Sequence, residues 1–324
     1  MDIKKYIETD ITKEEALSLY NLKGSRLMEL FAAANEIREK YCGDIIETCT
    51  ITNAKSGKCS ENCKFCAQSA VYNTNIESYP LKNIDILRQE YAEAEKHKSN
   101  RFGIVTSGKG MREGTEDFNS LLTFIKEATE KNKDMEICCS LGILSESEMK
   151  ALKDAGAKRY HCNLQTSPEK YGEFAATTHS VQDRIDTIKN AKKAGLDVCA
   201  GGIIGMGETW EDRIDLAFAL KELDVEGVPI NILNPIKGTP HGTREILDID
   251  EVLKTIAVYR LILKDKNIKI AAGRENIFKD FMGSGYLAGA NGMLVGGYLT
   301  VKGRDIQDDF KFIKNIQKIW NCNR

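Results

Sequence analysis

The chain has 324 residues, 42% hydrophobic and 29% charged, with 46 Lys+Arg set against 48 Asp+Glu for a net charge of −2. That length and apolar share suffice for one large core or two ordinary ones and exclude a disordered chain or a disulfide-stapled miniprotein; the near-neutral balance gives no global pull toward nucleic acid or an anionic membrane, so small molecules are the expected partners. No apolar run approaches the roughly 20 residues of a membrane-spanning helix, the stretch from Met1 to Glu8 lacks an apolar signal core, and a cytoplasmic location is the expectation.

From the N-terminus, Thr12 and Glu15 stand at capping-box spacing, and Leu27, Leu30, Phe31 and Ala34 recur at a helical period up to Gly43. Residues 1–43 therefore read as a helical extension packed on a larger domain, 44–324. From Asp44 short apolar or β-branched runs alternate with longer amphipathic stretches, the pattern of βα units on a parallel sheet. Strands are predicted at Ile45 to Ile51, Arg101 to Thr106, Glu136 to Leu141, Arg159 to Leu164, Asp197 to Ile203, Val228 to Leu233, Ile268 to Ala272 and Gly292 to Val295. The intervening helices open on N-cap signals: Ser145 with Glu148, Ser180 with Asp183, Thr209 with Asp212, Asp248 with Glu251. Eight such repeats predict an α/β protein with a closed (β/α)8 barrel of TIM type; an open doubly wound sheet is the alternative, because closure leaves no local signal.

Ten cysteines at this size point to metal or reactive thiols in a reducing compartment rather than to a secreted disulfide scaffold. Three of them crowd into Cys59-Ser-Glu-Asn-Cys63-Lys-Phe65-Cys66, just after the first predicted strand and so at the barrel rim where catalytic loops sit. Three thiolates on one short loop can each bind a different iron of a 4Fe-4S cluster and leave the fourth iron open. A structural zinc site would want a fourth protein ligand, and the nearest downstream Cys or His is His97.

The spacing, with an aromatic before the last cysteine, resembles the motif of radical S-adenosylmethionine (SAM) enzymes. There the open iron binds the amino and carboxylate groups of SAM, and one electron cleaves it to methionine and a 5′-deoxyadenosyl radical that abstracts hydrogen from unactivated carbon. Gly202-Ile-Ile-Gly205-Met-Gly-Glu208 matches the superfamily's GxIxGxxE segment; read alone it is only a glycine-rich turn. From about Glu47 to Tyr298 the chain further resembles the biotin synthase family, through Tyr79-Pro80-Leu81, Thr177-Thr178-His179, Lys237-Gly238-Thr239-Pro240 and Ala272-Gly273-Arg274-Glu275, among other segments.

That resemblance implies sulfur insertion between C6 and C9 of dethiobiotin, an electron donor such as flavodoxin or ferredoxin, and a homodimer. It implies Phe65, Asn163, Gln165, Arg184, Gly202, Gly205 and Glu208 as cofactor-binding residues, with Ser107 and Asn231 toward the substrate. It also implies a second cluster inside the barrel, normally 2Fe-2S, held by three cysteines and an arginine, of which Cys138, Cys199 and Arg274 are the matches here. The family's remaining cysteine falls at Gly103, Cys162 replaces a usual His, and Gln165 replaces a usual Asp or Glu. One reading is a rebuilt site, of a 4Fe type with an extra sulfide, that gains Cys139, Cys162 or both; strand alternation opposes this by turning both outward. Another is that the second cluster is lost. Cys42, Cys49 and Cys322 read as structural or incidental thiols. The rival functions are a related radical SAM enzyme without sulfur donation, of hydrogenase-maturase or methylornithine-synthase type, and a non-catalytic metal-binding scaffold.

Overall fold

The computed structural model describes residues 2–299 and 303–321; Cys322 lies outside them. In chain order the helices are α1 (Lys13–Ser18), α2 (Gly24–Cys42), α3 (Ile84–Lys96), α4 (Glu116–Lys131), α5 (Glu146–Asp154), α6 (Tyr171–Phe174), α7 (Val181–Lys193), α8 (Trp210–Glu222), α9 (Ile249–Leu263), α10 (Arg274–Phe278), α11 (Met282–Leu287) and α12 (Ile306–Trp320). The strands are β1 (Glu47–Lys55), β2 (Arg101–Thr106), β3 (Glu136–Ser140), β4 (Arg159–His161), β5 (Asp197–Cys199), β6 (Gly202–Ile204), β7 (Gly227–Ile232), β8 (Asn267–Ile270) and β9 (Gly292–Leu294). All pair in parallel.

The first strand pairs with both β2 and β9, and neighbours follow in chain order around the ring. Its last seam joins through Cys199 opposite Gly227 and through Gln165 opposite Gly202. The sheet is therefore a closed barrel.

The predicted fifth strand is split into β5 and β6. Pro229 of β7 stands one position before the Gly202–Ile230 pair and has no N–H to give the ladder. Gly201 comes so close to it that a Cβ would lie 2.0 Å from the Pro229 carbonyl oxygen, and the Gly201 N–H goes to Asn163 Oδ1 instead, at 3.1 Å. The first strand runs four residues past the predicted Ile51, because β2 offers ladder partners to Thr52, Asn53 and Lys55 whatever their own propensity.

The N-terminal segment is not one helix. Lys23 is extended and Gly24 takes φ +57°, which separates α1 from α2. Capping boxes form as predicted at Thr12, Ser145, Ser180 and Thr209. Asp248 starts α9 without a side-chain bond, so its contribution is limited to favouring the positive end of the helix dipole. The residues of α9 from Val252 to Leu263 are all buried, since α2 of the extension covers the face that the barrel leaves.

Candidate active site

The three-cysteine loop leaves β1 and is braced along its length by groups other than its thiols. Cys59 N–H donates to the Gln68 carbonyl (3.0 Å), Ala70 N–H to the Cys59 carbonyl (2.8 Å), and Lys64 N–H to the Ala175 carbonyl (2.8 Å). The Asn62 amide locks onto the segment matched by resemblance: its Oδ1 accepts from the N–H groups of Thr177 (2.9 Å) and Thr178 (3.1 Å), and its Nδ2 donates to Thr177 Oγ1 (2.7 Å). Behind the loop, Glu61 Oε2 meets His179 Nδ1 at 2.6 Å, and His179 Nε2 meets Tyr171 Oη at 2.7 Å. Arg184 donates to that Tyr171 oxygen from Nε (2.6 Å). Burial, then the neighbouring guanidinium, pushes the His179 pKa down, so the ring sits neutral between a donor and an acceptor.

Burial pushes the Cys63 thiol up to about 12 and raises Cys66 as well. Loading a metal must therefore displace protons. Among the described residues no three His, Cys, Asp or Glu side chains converge as one metal ion would require. Thiolates of a polynuclear cluster each hold a different iron, so three cysteines on one loop suit a 4Fe-4S cluster with one open iron, whereas a structural zinc would want a fourth protein ligand.

Two adjoining cavities open beside the loop. The smaller, about 200 Å3, is lined by Cys59, Cys63, Cys66, Ser107, His161 and Arg184, among others. The larger, about 390 Å3, is walled by Ile51, Ile203, Asn231, Leu233, Leu294 and neighbours. Phe65, Cys66, Gln68, Ser140, Asn163, Gln165 and Leu299 face both. Gln165 takes φ +72° in order to bridge to Gly202, and its buried Oε1 has no hydrogen-bond partner. An orphaned buried acceptor of this kind suits a ligand hydroxyl or ammonium. Half-buried Arg184 has no carboxylate partner among the described residues. Ser107 Oγ donates to the Gly57 carbonyl (2.7 Å). Asn231 is held at both ends, donating to the Gly202 carbonyl (3.1 Å) and accepting from Ala272 N–H (3.2 Å), which fixes its amide plane at the cavity wall.

Several expected contacts are placed elsewhere. Of the GxIxGxxE segment Ile203 lines the larger of these two cavities, and Gly202, Gly205 and Glu208 line neither. At Gly202 a Cβ would meet Leu216 Cδ2 at 2.4 Å, so the glycine is required for packing. Glu208 braces the turn, accepting from Gly205 N–H and Met206 N–H (both 2.7 Å) and from Arg213 Nε (2.7 Å). Met206 then packs with Phe174 and Leu233 against Phe65. Glu208→Ala is expected to destabilise the protein by about 3 kcal/mol, because it leaves two N–H groups without an acceptor and buried Arg213 with Glu251 as its one remaining carboxylate; a urea titration of the apoprotein checks this.

Arg274 does not join the cysteines. It is fully buried with Nη2 2.6 Å from Asp309 Oδ2 of α12 and Nε 2.6 Å from Tyr298 Oη. It follows β8 at the top of the barrel, where it ties the C-terminal helix down. Cys139 packs in the apolar layer between the sheet and its helices, and Cys162 turns its Sγ to the Arg184 carbonyl of α7 at 3.8 Å. Both stand on the strand face opposite to that of Cys138 and Asn163, as alternation expects, although Cys162 also borders the smaller cavity.

Cys49, by contrast, read as incidental, lies in the barrel interior with Ala271 and Leu294. Around it stand side chains to which no role was given: Glu47, Arg101, Arg159, His161 and Lys269. The alternation that turns Cys138 and Asn163 inward, applied to β1 and β8, does the same for Glu47, Cys49 and Lys269. Glu47 accepts from Arg101 Nε (2.8 Å) and Arg159 Nη1 (3.0 Å), and Lys269 Nζ stands 3.2 Å away as an ion pair without a hydrogen bond. Burial alone would raise its pKa, but Lys269, Arg159 and Arg101 outweigh it and hold the carboxyl at about 2.

Comparisons with known proteins agree with this geometry. Residues 54–220 match the radical SAM superfamily, and residues 229–317 match the biotin and thiamin synthesis associated domain. The biotin synthase of Clostridium tetani is 48% identical over 97% of this chain and 95% of its own length. That of Carboxydothermus hydrogenoformans is 45% identical over 94% of each. Among solved structures, methylornithine synthase superposes with a TM-score of 0.82 at 20% identity, covering 98% of this chain and 96% of its own. The FeFe-hydrogenase maturase of Carboxydothermus hydrogenoformans gives 0.79 at 16%, covering 98% and 76%. At those identities the two structures share the fold alone, whereas relatives this similar over nearly their whole length identify the lineage: the chain belongs to the biotin synthase family within the radical SAM superfamily.

Proposed function

We infer that the protein converts dethiobiotin to biotin by inserting sulfur between C6 and C9. The observation that supports this best is the pair of cavities with a common wall at Phe65, Cys66, Asn163 and Gln165, one beside the thiol loop and one across the barrel mouth toward Asn231 and Leu294. When bound, a 4Fe-4S cluster supplies the electron that cleaves SAM, and an auxiliary cluster supplies the sulfur.

The chain's own groups hold and orient. Cys59, Cys63 and Cys66 would hold the cluster, with three protein ligands leaving one iron for SAM. In the smaller cavity Arg184 receives the SAM carboxylate, and the free Gln165 Oε1 accepts from a ribose hydroxyl or the amino group. Phe65 closes the adenosyl side and excludes water from it. Asn231, its plane fixed by Gly202 and Ala272, offers its second N–H and second lone pair to the urea ring of dethiobiotin, a neutral group that needs both donor and acceptor. Ser107 sits at the rim between the loop and β2. The auxiliary cluster is a 4Fe type carrying an extra sulfide, in keeping with the altered cysteine pattern at Gly103. The electron donor is a flavodoxin or ferredoxin, and the working unit is a homodimer in the cytoplasm.

The test is anaerobic turnover of reconstituted protein with SAM, dethiobiotin and a reduced flavodoxin, read by mass spectrometry. Biotin and 5′-deoxyadenosine together are expected. Deoxyadenosine without a sulfur-containing product overturns the sulfur-insertion reading; no deoxyadenosine overturns the radical one.

A further inference from the structure

The barrel interior below the two cavities gathers basic side chains. Arg101, Arg159 and Lys269 all enter it around Glu47, whose carboxylate is mostly but not wholly buried. Glu136 on Arg101 and Asp197 on Arg159 are partly exposed at the barrel floor. Lys269 is 3% exposed, and its Nζ has no hydrogen bond even though Glu47 Oε1 is 3.2 Å away. His161 Nε2, also buried, has no partner; burial, then Lys269, Arg159 and Arg101, drive its pKa well down, so it brings no charge. Arg101 and Arg159 thus each have a second carboxylate, whereas Lys269 shares Glu47 with both of them; a buried ammonium without a hydrogen bond is costly and calls for an anionic occupant beside it.

The thiols facing this space are Cys49 of β1, Cys138 of β3 and Cys199 of β5. All three are within electrostatic reach of Lys269 and Arg159, and Cys138 and Cys199 each of Cys49 as well. Gly227 leaves the room into which Cys199 Sγ and Arg159 Nη1 project, 3.2 and 3.5 Å from where a Cβ would stand. On β2, a Cβ at Gly103 would lie 3.9 Å from Cys49 Sγ. The thiol of Cys49 thus hangs beside the space that a side chain at position 103 would fill.

We propose that Cys49, Cys138 and Cys199 are the three thiolate ligands of the auxiliary iron–sulfur cluster, with Cys49 supplying from β1 the thiol absent at Gly103 on β2, and with Lys269 as its cationic partner. Three thiolates around an iron–sulfide core would carry net negative charge, which suits the unpartnered Lys269 ammonium. Lys269 acts as a positioning and charge-balancing residue, and Arg274 has no part in the site. This ligand set rests on the sulfur-donating reading above.

The test uses the Cys59→Ala/Cys63→Ala/Cys66→Ala protein, which isolates the second site, reconstituted anaerobically with iron and sulfide. That background is expected to retain one cluster by iron and sulfide analysis and by its electron paramagnetic resonance signal when reduced. Adding Cys49→Ser, Cys138→Ala or Cys199→Ala is expected to remove all of that iron, whereas adding Cys139→Ala or Cys162→Ala leaves it. Cys49→Ser with Gly103→Cys is expected to regain it; only the Ile51 methyl, 3.1 Å from the new Cβ, must shift. This rescue separates loss of a ligand from misfolding. Lys269→Met should lower the midpoint potential, because the reduced cluster loses a balancing charge. A background with no iron overturns the auxiliary cluster and this ligand set together. A background cluster that survives Cys49→Ser leaves the sulfur-donating reading standing and overturns the role of Cys49.

Discussion

Cys63→Ala protein, reconstituted and assayed anaerobically, is expected to produce no 5′-deoxyadenosine above background, a loss of roughly 10^3-fold or more, because two thiolates cannot hold a site-differentiated cubane. Its fold should survive. The loop takes its shape from Asn62 on Thr177 and Thr178, from Glu61 on His179, and from Lys64 N–H on the Ala175 carbonyl, none of which involves a thiol. Apoprotein circular dichroism should match wild type, and the urea midpoint should correspond to a change within about 1 kcal/mol for deleting one partly exposed sulfur. Dethiobiotin should still bind in the larger cavity, which Cys63 does not line. Retained deoxyadenosine production would remove the loop from the active site.

Arg274→Met is expected to show the opposite pattern. Arg274 and Asp309 form an ion pair from which solvent is fully excluded, and Asp309 Oδ2 also accepts from Gly296 N–H at 3.0 Å, so α10, α12 and the segment after β9 meet at one carboxylate. Removing one partner leaves the other with only a more exposed ion, Arg304 at 3.8 Å from Asp309 or Glu275 at 3.2 Å from Arg274, at about 3 kcal/mol. Asp309→Asn should cost a similar amount, and Arg274→Met with Asp309→Leu should cost less than either change alone, since no charge is then stranded. Urea denaturation of the apoproteins measures the three. At low temperature, where the single variants remain folded, iron and sulfide content should equal that of wild type. If Arg274→Met instead loses a cluster at unchanged stability, Arg274 is a ligand after all.

Much of the site was legible from the chain because it rests on local spacing. A trio of cysteines within eight positions needs only one loop to become a cluster site, and Thr12, Ser145, Ser180 and Thr209 each cap a helix with a partner three residues away. The strand β2 falls on its predicted bounds, since a compact run of apolar side chains buried on both faces is a strong signal for a parallel sheet. The periodic alternation of strand and helix likewise determined the barrel's repeat count.

What required the tertiary structure was everything decided across strands. Closure depends on β1 meeting β9, residues more than 240 positions apart, and the break between β5 and β6 depends on a proline in the neighbouring strand. Arg274 follows a motif yet is claimed by Asp309, which no local pattern links to it. Cys49 lies in no motif, and its significance comes from Gly103, Cys138, Cys199 and Lys269 on four other strands facing the same space. Alternation within a strand tells which side chains point inward; the stagger between strands sets the height at which they meet, and that stagger is a property of the closed sheet.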